Sequence, residues 1–313
     1  MPLLKPPEPL EADRFQTALT RRFLTPVLAD LNATFLAMRA ETDQILASNA
    51  EARRGKPYPY GYCFEIAMDV LTGLRARCAR SASPGARALA AFLRNGGEAR
   101  LVWGVLRDRY FQNAIQLGSL YVDVANDSVD VRKPKVEIMA MSESGLELVR
   151  DVPHFADVAA RYWDLRVYAN TALPSLAPLF PMLVIDPDGR AALQSRAGFM
   201  VRLFGTDGFH RSEQWLREGP PPPPEVVRRF REACPEDLLR ADPVWGVEAA
   251  IEACRSLRDS GTVIDEAWAE RMGAAFDRVP PIRIPGAALG RAALTDRTRT
   301  NALPSMGVLE GAA

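Results

Sequence analysis

The chain has 313 residues, 48% of them hydrophobic and 25% charged, with 39 basic residues balanced by 39 acidic ones. That length can bury a sizeable core without disulfide staples, and that composition excludes a chain that is disordered or membrane-embedded as a whole. Zero net charge removes the broad basic footprint of a nucleic-acid binder, so no nucleic-acid partner is expected.

The opening MPLLKPPEPLEADRF has prolines and acidic residues where an export signal needs a basic start and an apolar run, which predicts a cytoplasmic protein. The longest apolar stretch, Leu173 to Ile185, is broken by Pro174, Pro178 and Pro181 and is too short to cross a bilayer of roughly 30 Å, so no membrane partner is expected. Cys63, Cys78, Cys234 and Cys254 form no C-x-x-C pair, and only His154 and His210 could help them, so no metal site is predicted.

Residues 12 to 48 read as helix, with Phe15, Leu19, Phe23, Val27, Leu31 and Phe35 at spacings of four and a break expected at Pro26. A breaker-rich loop follows from Arg53 to Gly61, containing Arg54, Pro57 and Pro59. From Tyr62 a second helix starts, with Cys63 in its first turn and Ile66, Ala67, Val70 and Leu74 on one stripe. Ser83 followed by Pro84 is the cap of a third helix that stops at Asn95-Gly96-Gly97.

Short β-type runs then take over, at 100 to 106, 110 to 117, 120 to 125, 135 to 141 and 146 to 152, and they predict a curled antiparallel sheet or small barrel. Residues 163 to 169 and 181 to 194 add strands, the latter pair turning at Asp186-Pro187-Asp188-Gly189, with Tyr162, Trp163 and Tyr168 assigned to a half-buried strand. The rest to about 278 reads as helical, interrupted by a stiff connector from Pro220 to Pro224. Residues 279 to 313 lack periodicity and read as an extended tail.

The fold class is therefore α+β: an N-terminal helical bundle carrying Cys63 over residues 1–95, a β domain over 96–195, a helical lid region over 196–278 and the tail over 279–313. The Asp123, Asp127 and Asp130 spacing lacks the glycine and terminal glutamate of a calcium loop and reads as a turn and solvated strand ends. Arg228, Arg229 and Arg231 lie among acidic residues and read as a solvated helix face.

Cys63 is the first candidate for chemistry. A thiol in the first turn of a helix meets free backbone N–H groups and the positive end of the helix dipole, with Gly61 leaving room for an incoming group. The run Gly61-Tyr62-Cys63-Phe64-Glu65, followed later by Tyr121-Val122-Asp123-Val124, resembles the arylamine N-acetyltransferase family, whose motif is Arg-Gly-Gly-x-Cys-Phe-Glu with an aspartate in Leu-Val-Asp-Val. The helices before the cysteine, the Gly96-Gly97 pair with its strand, the Leu148 to Asp151 segment and the Asp188-Gly189-Arg190 turn run in the same order, so the likeness covers roughly residues 10 to 200. The wider transglutaminase-like and papain-like group shares the cysteine-helix and strand arrangement.

The resemblance implies that Cys63 takes an acyl group as a thioester, that a strand histidine activates it, and that Asp123 orients the histidine, with Glu65 as the motif glutamate. No histidine stands on the strand: Phe111, Gln112 and Asn113 are the residues for its slot, and none accepts a proton near neutral pH. Ala125-Asn126-Asp127 replaces the family's Gly-Phe-Gly, and Tyr60 replaces its first motif glycine. His154 is the candidate substitute base.

The implied activity is cysteine-dependent N-acyl transfer or amide formation with a non-standard or missing base. No tightly bound cofactor is implied. An acyl thioester, coenzyme A or carrier-protein linked, is the co-substrate, and a small-molecule amine or acyl compound and an acyl carrier protein are the partners. Two alternatives stand beside it: a catalytically inactive relative that binds a small molecule or a protein in the same cleft, and a papain-like cysteine hydrolase.

Overall fold

The computed structural model describes residues 9–53, 55–194, 197–260 and 262–285, with the side chains of 197–199 left aside. Arg54 of the breaker loop and residues 286–313 of the expected tail lie outside the described residues. The architecture is α+β, with N-terminal helices, antiparallel sheets and C-terminal helices. The chain forms two compact units that divide at Leu148.

In the unit formed by residues 9–148, the first helical run is broken where Pro26 removes a backbone donor. Helix α1 spans Arg14–Leu19, capped by the Asp13 carboxylate at 2.7 Å from the Gln16 N–H, and α2 spans Leu28–Leu46. Then come α3 (Cys63–Thr72), α4 (Leu74–Arg80) and α5 (Pro84–Arg94). The Ser83 hydroxyl caps α5 by accepting from the Ala86 N–H, as the Ser-Pro pair predicts.

Strands β1 (Ala99–Leu106), β2 (Tyr110–Leu117), β3 (Leu120–Asp123), β4 (Glu137–Ala140) and β5 (Leu146–Glu147) form one antiparallel sheet in the order β4-β3-β2-β1-β5. Gly104 lies under β5, where a Cβ would meet the Glu147 carbonyl oxygen at 2.2 Å, so only glycine lets the edge strand approach.

The sheet's two faces have separate cores. Ile115, Leu117, Leu120 and Val122 pack with Leu31, Phe35, Ile66, Val70 and Phe92 of the helices, and half-buried Cys63 packs against this cluster. Val102, Leu106, Ala114, Tyr121, Met141 and Leu146 form a second cluster. Alternation along each strand assigns Asn113 to the helix side and Gln112 and Asp123 to the other.

The unit from Val149 onward begins with α6 (Val152–Trp163) and continues through β6 (Arg166–Ala169), β7 (Met182–Ile185), β8 (Arg190–Gln194), α7 (Ala197–Gly205), α8 (His210–Glu218), α9 (Pro224–Ala233), α10 (Glu236–Ala241), α11 (Val247–Asp259), α12 (Glu266–Asp277) and β9 (Ile282–Arg283). Its sheet runs β6-β7-β8-β9, all antiparallel. The β7–β8 turn is the expected one, with Asp186 accepting from the Arg190 N–H.

Four readings from the sequence change here. The run 146 to 152 is strand only at 146 and 147, because the Asp151 carboxylate caps α6 at the His154 N–H (2.7 Å) with Pro153 in the first turn. Tyr162 and Trp163 close that helix rather than alternate on a strand, since Phe155, Val158 and Ala159 bury a helical stripe; Asp164 then ends it at φ 53°. The expected tail begins with β9, whose Ile282 pairs with Ala191. Pro224 belongs to α9 as its first residue, where a missing N–H is harmless, so the proline connector ends at Pro223.

Candidate functional site

Cys63 is the first residue of α3, and Tyr62 before it gives that helix no side-chain cap. Tyr62 thus offers the first-turn N–H groups no side-chain acceptor, and they stand beside the thiol with the positive end of the helix. The loop that delivers Cys63 is held at several points. Gly61 takes φ +76°, a conformation that glycine adopts without strain, and its N–H donates to the Ser128 carbonyl at 2.9 Å.

Arg53 braces the same loop: it donates to the Gly61 carbonyl at 2.6 Å, pairs with Glu65 at 2.6 Å, and lies 3.6 Å over the Tyr62 ring. Buried Tyr62 anchors its hydroxyl on the Glu51 carbonyl at 2.9 Å. Glu65 is thus a loop brace, and Phe64, 37% exposed, turns toward solvent beside the thiol.

Of the three residues open for the histidine slot, Asn113 is the one at the sulfur, its Nδ2 3.4 Å from Cys63 Sγ. Phe111 shares that side of the sheet and stacks on Trp103, with ring centroids 5.2 Å apart and planes 13° from parallel. Trp103 pairs across the strands with Asn113, so an aromatic wall runs beside the amide. Burial pushes the Cys63 thiol up, the Asn113 hydrogen bond pulls it partly back, and the charges of Asp123 and Glu65 add to the rise.

Gln112 and Asp123 meet on the opposite side. Gln112 Nε2 donates to Asp123 Oδ2 at 2.6 Å, the Tyr121 hydroxyl donates to the same oxygen at 3.0 Å, and the Ala125 N–H donates to Oδ1 at 2.8 Å. Burial pushes the Asp123 carboxyl up to about 6, against the pull of these three donors. The Gln112 Oε1 is buried without a partner among the described residues. Cys63 and Asp123 are therefore not joined through one strand residue, since the amide that touches the sulfur and the amide that touches the carboxylate point to different faces.

The sequence held a signal for this. Gly118-Ser119 is a two-residue hairpin turn between Leu117 and Leu120, which pair; counting back pairs Ile115 with Val122 and puts Asp123 out of phase with Asn113.

His154 lies in the other unit, in the first turn of α6, where its Nδ1 accepts from the Arg150 N–H at 3.3 Å. The motif reading missed Arg39, Arg53 and Trp103. Arg39 was detectable as a charge on the buried stripe of α2, between Phe35 and Thr42. Among the described residues no group of histidine, cysteine and carboxylate side chains could hold a metal ion, and no helix is long and apolar enough to cross a membrane. No family model, curated protein or solved structure matches the chain.

Proposed function

We propose that residues 9–148 are a binding module built on the frame of a cysteine acyl-transfer site, holding a small carbonyl- or carboxylate-bearing molecule at the start of α3. One observation carries this reading: the strand residue at the sulfur is the carboxamide of Asn113, while Asp123 is engaged by Gln112 on the other face. A carboxamide donates and accepts hydrogen bonds but takes no proton near pH 7, so the thiol stays neutral. The uncapped N–H groups of α3 suit a ligand oxygen, the Asn113 amide supplies one more donor, and Trp103 offers a flat apolar side. The chain's cysteines are free, which suits a reducing compartment such as the cytoplasm.

The test is calorimetric titration with short-chain acyl-coenzyme A thioesters and the matching carboxylates, with intact mass read in parallel. Binding that survives Cys63→Ala, with no acyl adduct on Cys63 at pH 7.5, is the expected result. An acyl adduct at neutral pH, together with loss of acyl transfer to an amine in Cys63→Ala, would reject it.

That opposite result belongs to a second reading, acyl transfer from a coenzyme A or carrier-protein thioester. The observation in its favour is the place of Cys63 at the N-terminus of a ten-residue helix, where a thiolate is stabilised.

A further inference from the structure

Arg39 has no exposed side-chain surface, although it lies on the apolar stripe of α2. A buried guanidinium loses its hydration, and a well-packed apolar residue of similar size is often as stable or more so. What Arg39 touches explains its presence. Its Nη1 donates to the Val124 carbonyl and to Asp127 Oδ1, both at 2.7 Å, and its Nη2 reaches Asp127 Oδ2 at 3.2 Å. Its Nε donates to Asp43 Oδ1 at 2.7 Å, and the same oxygen accepts from the Tyr58 hydroxyl at 2.7 Å. Lys135 closes the network on the other oxygen of Asp43.

Arg39 reaches two irregular segments that no sheet ladder holds, the first directly at Val124 and Asp127 and the second through Asp43, on its own helix, to Tyr58. One, Val124 to Ser128, leaves the end of β3; the other, Tyr58 to Tyr62, delivers Cys63. They are tied to each other where the Gly61 N–H meets the Ser128 carbonyl, one residue beyond Asp127 and two before the thiol. A planar fork with fixed donors can hold a carboxylate, a carbonyl and a second carboxylate at set angles; a lysine ammonium cannot.

We propose that Arg39 is a positioning residue that seats the Cys63 thiol against Asn113, acting through the two loops that flank it. The role matters only if Cys63 is the centre of a site, as proposed above, yet it is measurable on the thiol without any ligand. Cys78, buried in α4 of the same unit, is the internal reference.

The experiment follows iodoacetamide labelling of Cys63 and Cys78 separately, by peptide mass, in wild type, Arg39→Lys and Asp127→Asn at pH 7.5. With the loops loosened, the sulfur gains water and its pKa falls toward that of an ordinary thiol. Cys63 labelling should then rise about tenfold, the thiolate gain for one pKa unit, while Cys78 changes less than about twofold, well short of that one-unit effect. Three results overturn the proposal: unchanged Cys63 labelling in both folded variants, equal acceleration of both sulfurs, or failure of both variants to fold. The last two would make the network a matter of stability alone. Failure of the ligand titrations would leave the labelling pattern unaffected, so the two proposals fall separately.

Discussion

Asn113 donates to the Cys63 sulfur while its neighbour Gln112 donates to Asp123, because successive side chains leave a strand on opposite faces. Histidine substitutions at the two positions should therefore behave differently. Asn113→His brings an imidazole beside the sulfur and should raise iodoacetamide labelling of Cys63 at pH 7 at least about tenfold, the effect of lowering a thiol pKa by one unit. Gln112→His should leave it unchanged, and equal acceleration by both would refute the face assignment.

Asp123 makes a second prediction. Its native pKa, pushed from 3.8 up to about 6, means that the folded chain binds this proton more tightly than the unfolded chain does. The group's contribution is fully present below about pH 4 and is lost as pH rises through about 6, a swing on the order of 3 kcal/mol. Asp43 and Asp69, whose carboxyls are held low, act in the reverse direction at acid pH, so the difference between wild type and Asp123→Asn is the quantity to measure. Urea unfolding at pH 5 and pH 7 should show that difference shrinking in the variant's favour as pH rises; a gap independent of pH would exclude the shift.

Among the elements, α5 and α2 cross where Gly85 sits in the first turn of α5. A Cβ there would meet the Asp30 carbonyl oxygen at 2.3 Å and Thr34 Oγ1 at 2.5 Å. Helix propensity alone favours alanine over glycine by about 1 kcal/mol. The backbone clash outweighs it, since overpacking typically costs about 1–3 kcal/mol. Gly85→Ala should thus lower the urea midpoint; a stabilised variant would mean that the two helices separate without penalty.

The same helix shows what the sequence makes legible. Ser83, Pro84 and Gly96-Gly97 are local signals, and both ends of α5 follow from them. Strands β1 to β4 were readable from their β-type runs for a like reason. The segment 148 to 163 was not, because Val149 and Val152 read as strand while the Asp151 cap, a single hydrogen bond, decides for helix. At the site, Cys63 and its helix start were legible from the loop-to-helix change. The partner of the sulfur was not settled among Phe111, Gln112 and Asn113, since strand phase depends on pairing across the hairpin rather than on any one residue.

For the molecule as a whole, both apolar clusters of the Cys63 unit draw, among the described residues, only on positions from Leu10 to Leu146. Expressed alone, residues 9–148 should therefore fold cooperatively, with a single urea transition seen alike by circular dichroism and tryptophan fluorescence. Non-coincident transitions would show that this core needs the rest of the chain.

The phase of β2 against β3 has a consequence for how such a chain could change. A relay of base and carboxylate at the sulfur would need histidine at 113 and an acid on the same side, for instance at the wholly buried Val122. The two changes are unequal: an imidazole at 113 alone activates the thiol without an orienting acid, whereas an acid alone at 122 is an uncompensated charge within the helix-side core. Ligand-holding and turnover are thus separated on this scaffold by two changes, of which histidine at 113 is the first that the fold can accept.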